Sequence, residues 1–244
     1  MAFCYFSRQL YKAYKSYTTY AVALLPDIFY ILTAKPTWFE LPIHPHEGAM
    51  EDFDNPEGRQ TGLIPPHGGY RDLKSYQMAE IVYDATVVFC NRFIDPRSRT
   101  HDQMVQAARS GKQNIAEGSM ASGTSRKMEL KLVGVARASL EELLLDFQDY
   151  LRQNGLALWG KDHPQSKQVR GLCYQKNRSY LTYKPYLESP ARAETAANIM
   201  VCLIHQTSFL LDQQLRVLEQ TFLQEGGFTE RLYTARLNAR NKQK

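Results

Sequence analysis

The chain has 244 residues, enough for one large domain or for one domain with an appendage. Hydrophobic residues make up 43% of the chain and charged residues 23%, a balance that supports a real core. The net charge of +5 is uneven, since residues 156–244 carry 13 Lys/Arg against seven Asp/Glu, whereas residues 1–69 carry five against seven. Such a basic excess suits a polyanionic partner, and a solvated surface is the ordinary alternative.

The sequence gives little support for a membrane-spanning segment or for a zinc site. The apolar stretch Thr18–Ala34 is interrupted by Pro26 and Asp27, is too short to span a bilayer and is followed by no cleavage site. The four cysteines are widely scattered, and none belongs to a Cys-x-x-Cys pair. We therefore predict a cytoplasmic protein that does not associate with membranes and keeps its thiols free and packed.

The first 69 residues differ from the rest of the chain. They are rich in Tyr, Phe and Pro and show no sustained apolar repeat of helical spacing after Lys35. They end with the Pro- and Gly-rich segment 65–69, which strongly disfavours a continuing helix. We predict that residues 1–69 form an N-terminal extension that is irregular or partly disordered. Met50 is an alternative start within it.

Helical periodicity begins at Tyr70. Apolar residues at three- and four-residue spacings predict a first helix at 72–93, a second at 100–117 and a third at 125–154. Thr100 is the expected N-cap of the second helix, Gly118 its expected stop, and Gly155 the stop of the third. A shorter helix at 165–180 and a long one at 191–224, ended by two glycines, follow.

These elements predict an all-α protein in which an antiparallel up-down four-helix bundle with one extra short helix spans residues 70–225. Residues 156–190 are an insertion in that bundle, and residues 226–244 form a basic C-terminal tail with a frayed end. The third helix carries two apolar stripes that together cover about half of its circumference. The surplus favours a second subunit against this helix, and the alternative is that a terminal extension covers it.

Gly111 and Gly134 lie in the middle of predicted helices. Each lowers the stability of its helix by about 1 kcal/mol relative to alanine. They lie at comparable distances from the turn at 122–125, so they could let the second and third helices approach closely. Tolerated glycines without a packing role are the alternative.

Cations gather on either side of the same turn. In an antiparallel hairpin they are expected to reach a similar height, while Glu141, Glu142, Asp146 and Asp149 lie further along the third helix. Cations at such spacing can contact phosphates, and ordinary pairing with neighbouring acids is the alternative. The candidate binding residues of this hairpin are Arg109, Lys112, Arg126, Lys127, Lys131 and Arg137.

A second basic segment, Lys167–Arg192, interleaves six cations with tyrosines and holds one acid, Glu188. Cations with stackable rings suit single-stranded nucleic acid, and tyrosines packed on the bundle between solvated cations are the alternative. The candidates here are Lys176, Arg178, Tyr180 and Lys184.

Sites for enzyme chemistry are weak or missing in the sequence. No Glu-x-x-His pair of a di-metal bundle occurs, and His44 and His46 lack a convincing ligand set. The segment Ser110–Lys112 lacks the glycine spacing, the following Ser/Thr and the preceding strand of a phosphate loop. We therefore predict a protein that is not an enzyme and uses no metal or cofactor.

Three segments carry a family resemblance. Tyr70–Gln77, Gln113–Gly118 and Ala136–Glu142 together resemble the four-helix-bundle proteins of the 23S rRNA intervening-sequence (S23) family, in particular its four helix bundle suffix domain branch. The similarity covers about residues 70–225, and Asn114, Glu117 and Gly118 carry its central motif. Where the family usually has a proline shortly before that motif, this chain has Lys112.

The resemblance implies an up-down bundle that assembles into a homo-oligomer, often a pentamer. It also implies a basic surface for nucleic acid, because a related accessory variability determinant of diversity-generating retroelements binds nucleic acid and a reverse transcriptase. Together with the basic residues above, this predicts an accessory protein that binds RNA more readily than DNA. An interaction scaffold that binds only protein is the alternative.

Overall fold

The computed structural model describes residues 63–175, 178–188 and 192–243, and within these ranges all regular structure is helical. The all-α prediction is therefore confirmed for the described residues, while the predicted character of residues 1–62 lies outside them. A short 3₁₀ turn at Tyr70–Asp72 precedes the helices. These are α1 (Lys74–Phe93), α2 (Arg99–Ala121), α3 (Arg126–Gln153), α4 (Pro164–Leu172), α5 (Tyr180–Leu187), α6 (Ala193–Glu225) and α7 (Phe228–Lys242).

The second helix differs from its prediction at both ends. It begins at Arg99, because Ser98 and not Thr100 is its N-cap. The Ser98 side chain accepts a hydrogen bond from the Thr100 amide at 3.2 Å. It also continues through Gly118 to Ala121, so the prediction that Gly118 stops it was wrong. Gly118 is buried, and a Cβ atom there would lie 3.4 Å from the Glu129 carbonyl oxygen and from Leu132 Cβ. This glycine permits close helix packing.

The ends of α3 lie within one residue of the predicted range 125–154. Ser125 caps the helix by accepting a hydrogen bond from the Met128 amide at 3.2 Å. After Gln153, Gly155 adopts a φ of 65°, the left-handed conformation that commonly ends a helix. The local sequence therefore determines where this long helix starts and stops.

The four long helices pack as neighbours around one core. Helix α1 packs against α2 and α6, and α3 packs against the same two helices, while α4 and α5 lie on α6. Helices α2 and α3 run in opposite directions, because Gly111 faces Leu140 and Gly118 faces Val133. Phe89 of α1 reaches Phe147 of α3 edge-on, with ring centroids 4.8 Å apart. The core residues with the largest fully buried side chains include Met78, Phe89, Met104, Ile115, Leu140, Leu144, Phe147, Tyr183 and Ile199.

Packing within this chain accounts for most of the second apolar stripe of α3. Val133, Leu140, Leu144 and Leu151 are all buried in the core. A second subunit is therefore not needed to cover that stripe. The large apolar side chains that stay exposed on α3 are Met128, Val135 and Leu145.

The C-terminal region is more helical than predicted. The single helix expected at 165–180 is replaced by α4 and α5, and Pro185 lies inside α5. Helix α6 ends at Gly226, whose φ is 67°, and α7 follows where a frayed tail was expected. The Gly227 amide donates to Glu230 Oε2 at 2.7 Å, which satisfies one of the free amides at the start of α7.

Candidate nucleic-acid interface

The six hairpin cations do not share one height on the structure. Because Gly111 lies opposite Leu140, Arg109 is level with Glu142 on the antiparallel helix. Lys131 lies about 16 Å from that level along the axis of α3, at 1.5 Å per residue. The expectation of a single basic belt was therefore wrong, because the helices pair in a register that carries α2 past Gly118.

Lys127 and Lys131 are the exposed pair of the hairpin. They lie one helical turn apart on the outward side of α3, and neither forms an ion pair or hydrogen bond with another residue in the described part of the chain. Both ammonium groups are thus available to an external anion.

Arg126 holds the hairpin turn against the end of α6. Its guanidinium donates to the Thr221 carbonyl oxygen at 3.3 Å and to Glu225 Oε2 at 2.5 Å, and its side chain is only 17% exposed. A cation near the last carbonyls of a helix also interacts favourably with the helix dipole. Arg126 therefore places the start of α3 beside the end of α6 and has little capacity left for an external phosphate.

Arg137 takes part in a half-buried ion network between α3 and α6. It donates to Glu141 Oε2 at 2.9 Å and to Asp212 Oδ1 at 3.3 Å. Burial raises the pKa of Asp212, and Arg137 opposes that rise. The guanidinium is needed to compensate two carboxylates, so it stabilises the interface between helices.

On α2, the two candidate cations have different surroundings. Lys112 lies over the ring of Tyr83 on α1, with Nζ 4.5 Å from the ring centroid. Burial raises the pKa of Asp84, and the nearby Lys112 partly lowers it again. Arg109 is exposed on the outer side of α2, far from Lys127 and Lys131. The structure thus leaves Arg109 accessible but isolated.

The second basic segment is largely occupied by internal contacts. Arg178 donates to the Cys173 carbonyl oxygen at 2.8 Å and lies against Met78 Sδ. Tyr180 donates its hydroxyl to Glu188 Oε1 at 2.7 Å, and burial together with Glu188 raises the pKa of Tyr180. Lys184 forms an exposed ion pair with Glu188 at 3.4 Å. Lys176 lies outside the described residues.

The tyrosines of this segment also pack inward. Tyr183 is fully buried, and Tyr186 accepts a hydrogen bond from Gln168 Nε2 at 2.9 Å. Tyr174 is exposed. Most of these rings therefore anchor α5 to the helices beneath it and are not free to stack on bases.

The motif residues of the resemblance join α2 to α3. Asn114 donates to the Ser110 carbonyl oxygen at 2.8 Å and to Ser110 Oγ at 3.1 Å. Ser110 Oγ in turn lies 3.0 Å from Ser139 Oγ on α3, within hydrogen-bond distance. Glu117 is exposed, and Gly118 permits the close approach described above. The motif therefore has a packing role in this fold.

Helix α7 supplies exposed cations on a structured element. Arg236, Arg240 and Lys242 are exposed and form no ion pair with another described residue. The sequence signal for this helix is a faint apolar repeat at three- and four-residue spacings, formed by Phe228, Leu232, Ala235 and Ala239. The turn at Gly226–Gly227 starts α7 near the end of the molecule where Arg126 ties α3 to α6.

Charge changes sign along α3. Its first half presents Lys127 and Lys131, and its second half presents Glu142, Asp146 and Asp149. Burial, together with Glu142 and Asp149, raises the pKa of Asp146, as expected when carboxylates crowd one another. The basic half lies at the end where α7 begins.

The described surface offers little for small-molecule or metal chemistry. A groove of about 440 Å³ between α2 and α3 has mixed charge, with Arg99, Asp102 and Glu142 among its lining residues. Among the described residues, no group of three or more His, Cys, Asp or Glu side chains could hold a metal ion. None of the helices in the described ranges has both the length and the apolar character needed to cross a bilayer.

No family model, curated protein or solved structure matches this chain.

Proposed function

We propose that this protein is a non-enzymatic, oligomeric accessory protein of the cytoplasm that binds nucleic acid, RNA more readily than DNA. The observation that carries the proposal is a set of exposed cations that form no ion pair with another described residue. Lys127 and Lys131 lie at the start of α3, and Arg236 and Arg240 lie on α7, a helix that begins near that end.

The architecture we propose for this function is an up-down four-helix bundle built from α1, α2, α3 and α6. The pairwise packing of these four helices and the opposite directions of α2 and α3 support it. The resemblance to the S23 family supports the same arrangement. By that resemblance the proposal extends to a homo-oligomer, and to a reverse transcriptase or RNA-processing protein as a further partner.

Cations of this kind suit contact with the phosphate backbone. Lys127 and Lys131 present compact charges on flexible stems, which bind phosphate without the fixed geometry that base recognition requires. Each phosphate contact releases condensed counterions, so binding weakens steeply with salt. We therefore expect binding that tolerates many sequences, with RNA preferred because of the resemblance.

A salt series with a short single-stranded RNA tests the proposal. Fluorescence anisotropy would be measured for the wild type, for Lys127→Glu/Lys131→Glu and for Arg236→Glu/Arg240→Glu. Losing two phosphate contacts should reduce the slope of log K against log[salt] by about 1.4 in each double variant. The matched control is Arg97→Glu/Arg152→Glu, which reverses two exposed cations that already have carboxylate partners.

Two results would contradict the proposal. One is the lack of any binding by the wild type at low salt. The other is an equal loss in the control and in both test variants, because this would indicate only a general effect of net charge.

The alternative is an interaction scaffold that binds only protein. The large exposed apolar side chains Val135 and Leu145 on α3 would take part in such a contact. Recovery of the protein with a defined protein partner and without nucleic acid, seen as an absorbance ratio typical of pure protein, would support this alternative.

A further inference from the structure

The outward side of α3 forms a continuous surface that no other described element covers. Its side chains follow one another at spacings of three and four residues, so they lie on one face of the helix. We call this surface the outer face of α3. Its principal residues, all exposed, are Lys127, Lys131, Val135, Ala138, Glu142 and Leu145.

The middle of the outer face suits close contact with another helix. Val135 is 48% exposed and Leu145 is 52% exposed, although both are large apolar side chains. Between the lysines and Ala138, Gly134 is open, and a Cβ atom built there would meet nothing within 4 Å. Small residues beside exposed apolar ones allow two helix backbones to approach closely.

The two ends of the outer face carry opposite charge. Lys127 and Lys131 occupy the N-terminal end, and Glu142 and Asp149 occupy the C-terminal end. Asp149 also pairs with Arg152 of the same helix at 2.9 Å, an exposed contact that leaves its second oxygen accessible. A parallel copy would bring like charges together, whereas an antiparallel copy would bring opposite charges together.

We propose that a second copy of this chain docks on the outer face of α3, antiparallel and related by a twofold axis near Ala138. In this register Lys127 lies beside the partner's Asp149, and Lys131 lies near the partner's Glu142. The same pairs recur on the other side of the axis, because a twofold contact uses one surface twice. Val135 and Ala138 lie near the axis, whereas Leu145 lies level with the partner's Lys131 and Lys127 lies at the outer end of the contact.

The contact has a consequence that rests on the proposed function. It covers Lys127 and Lys131, which are also the lysines proposed to bind phosphate. A second copy and a nucleic acid would then compete for this face, while the cations of α7 stay accessible to either. The dimer contact itself does not depend on nucleic acid, so the two proposals can fail separately.

Mixing two charge variants tests the contact. Lys127→Glu/Lys131→Glu makes the outer face acidic throughout, and Glu142→Lys/Asp149→Lys makes it basic throughout. Each variant alone should repel its own copy and lose self-association by about tenfold or more, because like charges then oppose each other at both ends. The two mixed in equal amounts should form a heterodimer with complementary charges at both ends.

Sedimentation without nucleic acid provides the measurement. The wild type and the mixture should approach twice the 28.1 kDa mass of one chain as concentration rises, and each variant alone should stay near that mass. The matched control, Lys74→Glu/Arg216→Glu, changes two exposed cations on α1 and α6 and should associate like the wild type. Circular dichroism would show that every variant keeps its helices.

Three outcomes would overturn the inference. They are a wild type that stays monomeric at every concentration, variants that associate as well as the wild type, and a mixture no heavier than its components. An assembly of five chains that both charge reversals leave unchanged falls under the second outcome. Because sedimentation is done without RNA, none of these results decides whether the protein binds RNA. The Arg236→Glu/Arg240→Glu titration tests the proposed function away from the dimer contact.

Discussion

Replacing Gly111 and Gly134 by alanine should have different effects on stability, although both changes improve helix propensity. Both glycines lie inside long helices, so alanine gains about 1 kcal/mol of helix propensity at either site. At Gly134 a new Cβ atom meets nothing within 4 Å. We therefore expect Gly134→Ala to raise the free energy of unfolding by about 0.5–1 kcal/mol.

At Gly111 the same methyl group meets a packed core. Its Cβ atom would lie 2.9 Å from Leu140 Cδ2 and 3.0 Å from Leu140 Cγ, and Leu140 is fully buried. Overpacking of this kind costs about 1–3 kcal/mol. The propensity gain cancels in the comparison, so Gly111→Ala should be less stable than Gly134→Ala by about 1–3 kcal/mol.

Urea unfolding monitored by circular dichroism would measure this difference. The titrations should be repeated over a series of protein concentrations, because Gly134 also lies on the outer face of α3. Values at the lowest concentration then report the isolated chain. Equal stabilisation by both substitutions would refute the reasoning, since it would mean that α2 and α3 do not approach closely at Gly111.

Three further substitutions test the cap, the core and a buried carboxyl. Ser125→Ala removes the bond to the Met128 amide and should lower the free energy of urea unfolding by about 1 kcal/mol, whereas Thr124→Ala should have little effect. Phe147→Ala should lower the free energy of unfolding by about 3–5 kcal/mol in the same assay, because the ring is fully buried against Phe89. If Phe147→Ala lowered it no more than the exposed control Leu223→Ala, that result would contradict the core described above. Burial raises the pKa of Glu129 in the folded chain. The charged carboxylate therefore destabilises the folded chain when the pH is above this raised pKa, and the effect is absent when the pH is below the ordinary pKa of the unfolded chain. Glu129→Gln should therefore stabilise the protein at neutral pH, and this gain in stability should disappear on acidification. A gain that does not depend on pH would argue against burial as the cause, and so would an equal gain in the exposed control Glu219→Gln.

Local chemistry made the ends of α3 predictable from the sequence. Ser125 offers a hydroxyl to the first free amides, and Gly155 adopts a left-handed backbone without steric cost. Both signals act within a few residues of the helix end. The same kind of signal failed at Gly118, because glycine serves equally for a helix stop and for close packing. Only the partner helix decides between the two.

The candidate site was harder to predict because it depends on distant partners. Arg126 and Arg137 looked like free cations in the sequence, but their carboxylate partners on α6 lie 99 and 75 residues away. Arg109 was expected beside Lys131, and the register of α2 against α3 separates them. Periodicity indicates which residues share a face, whereas the pairing of charges needs the packed fold.

The hydrogen bonds that join the helices also differ greatly in the length of chain they close. Ser110 and Ser139 link α2 to α3 across 29 residues, whereas Ser75 and Gln214 link α1 to α6 across 139. Closing a longer loop costs more chain entropy, so contacts of small sequence separation form faster. We therefore expect the α2–α3 hairpin to form first and α6 to dock onto it late. Substitutions at Ser139 should then slow folding, while those at Gln214 should mainly speed unfolding.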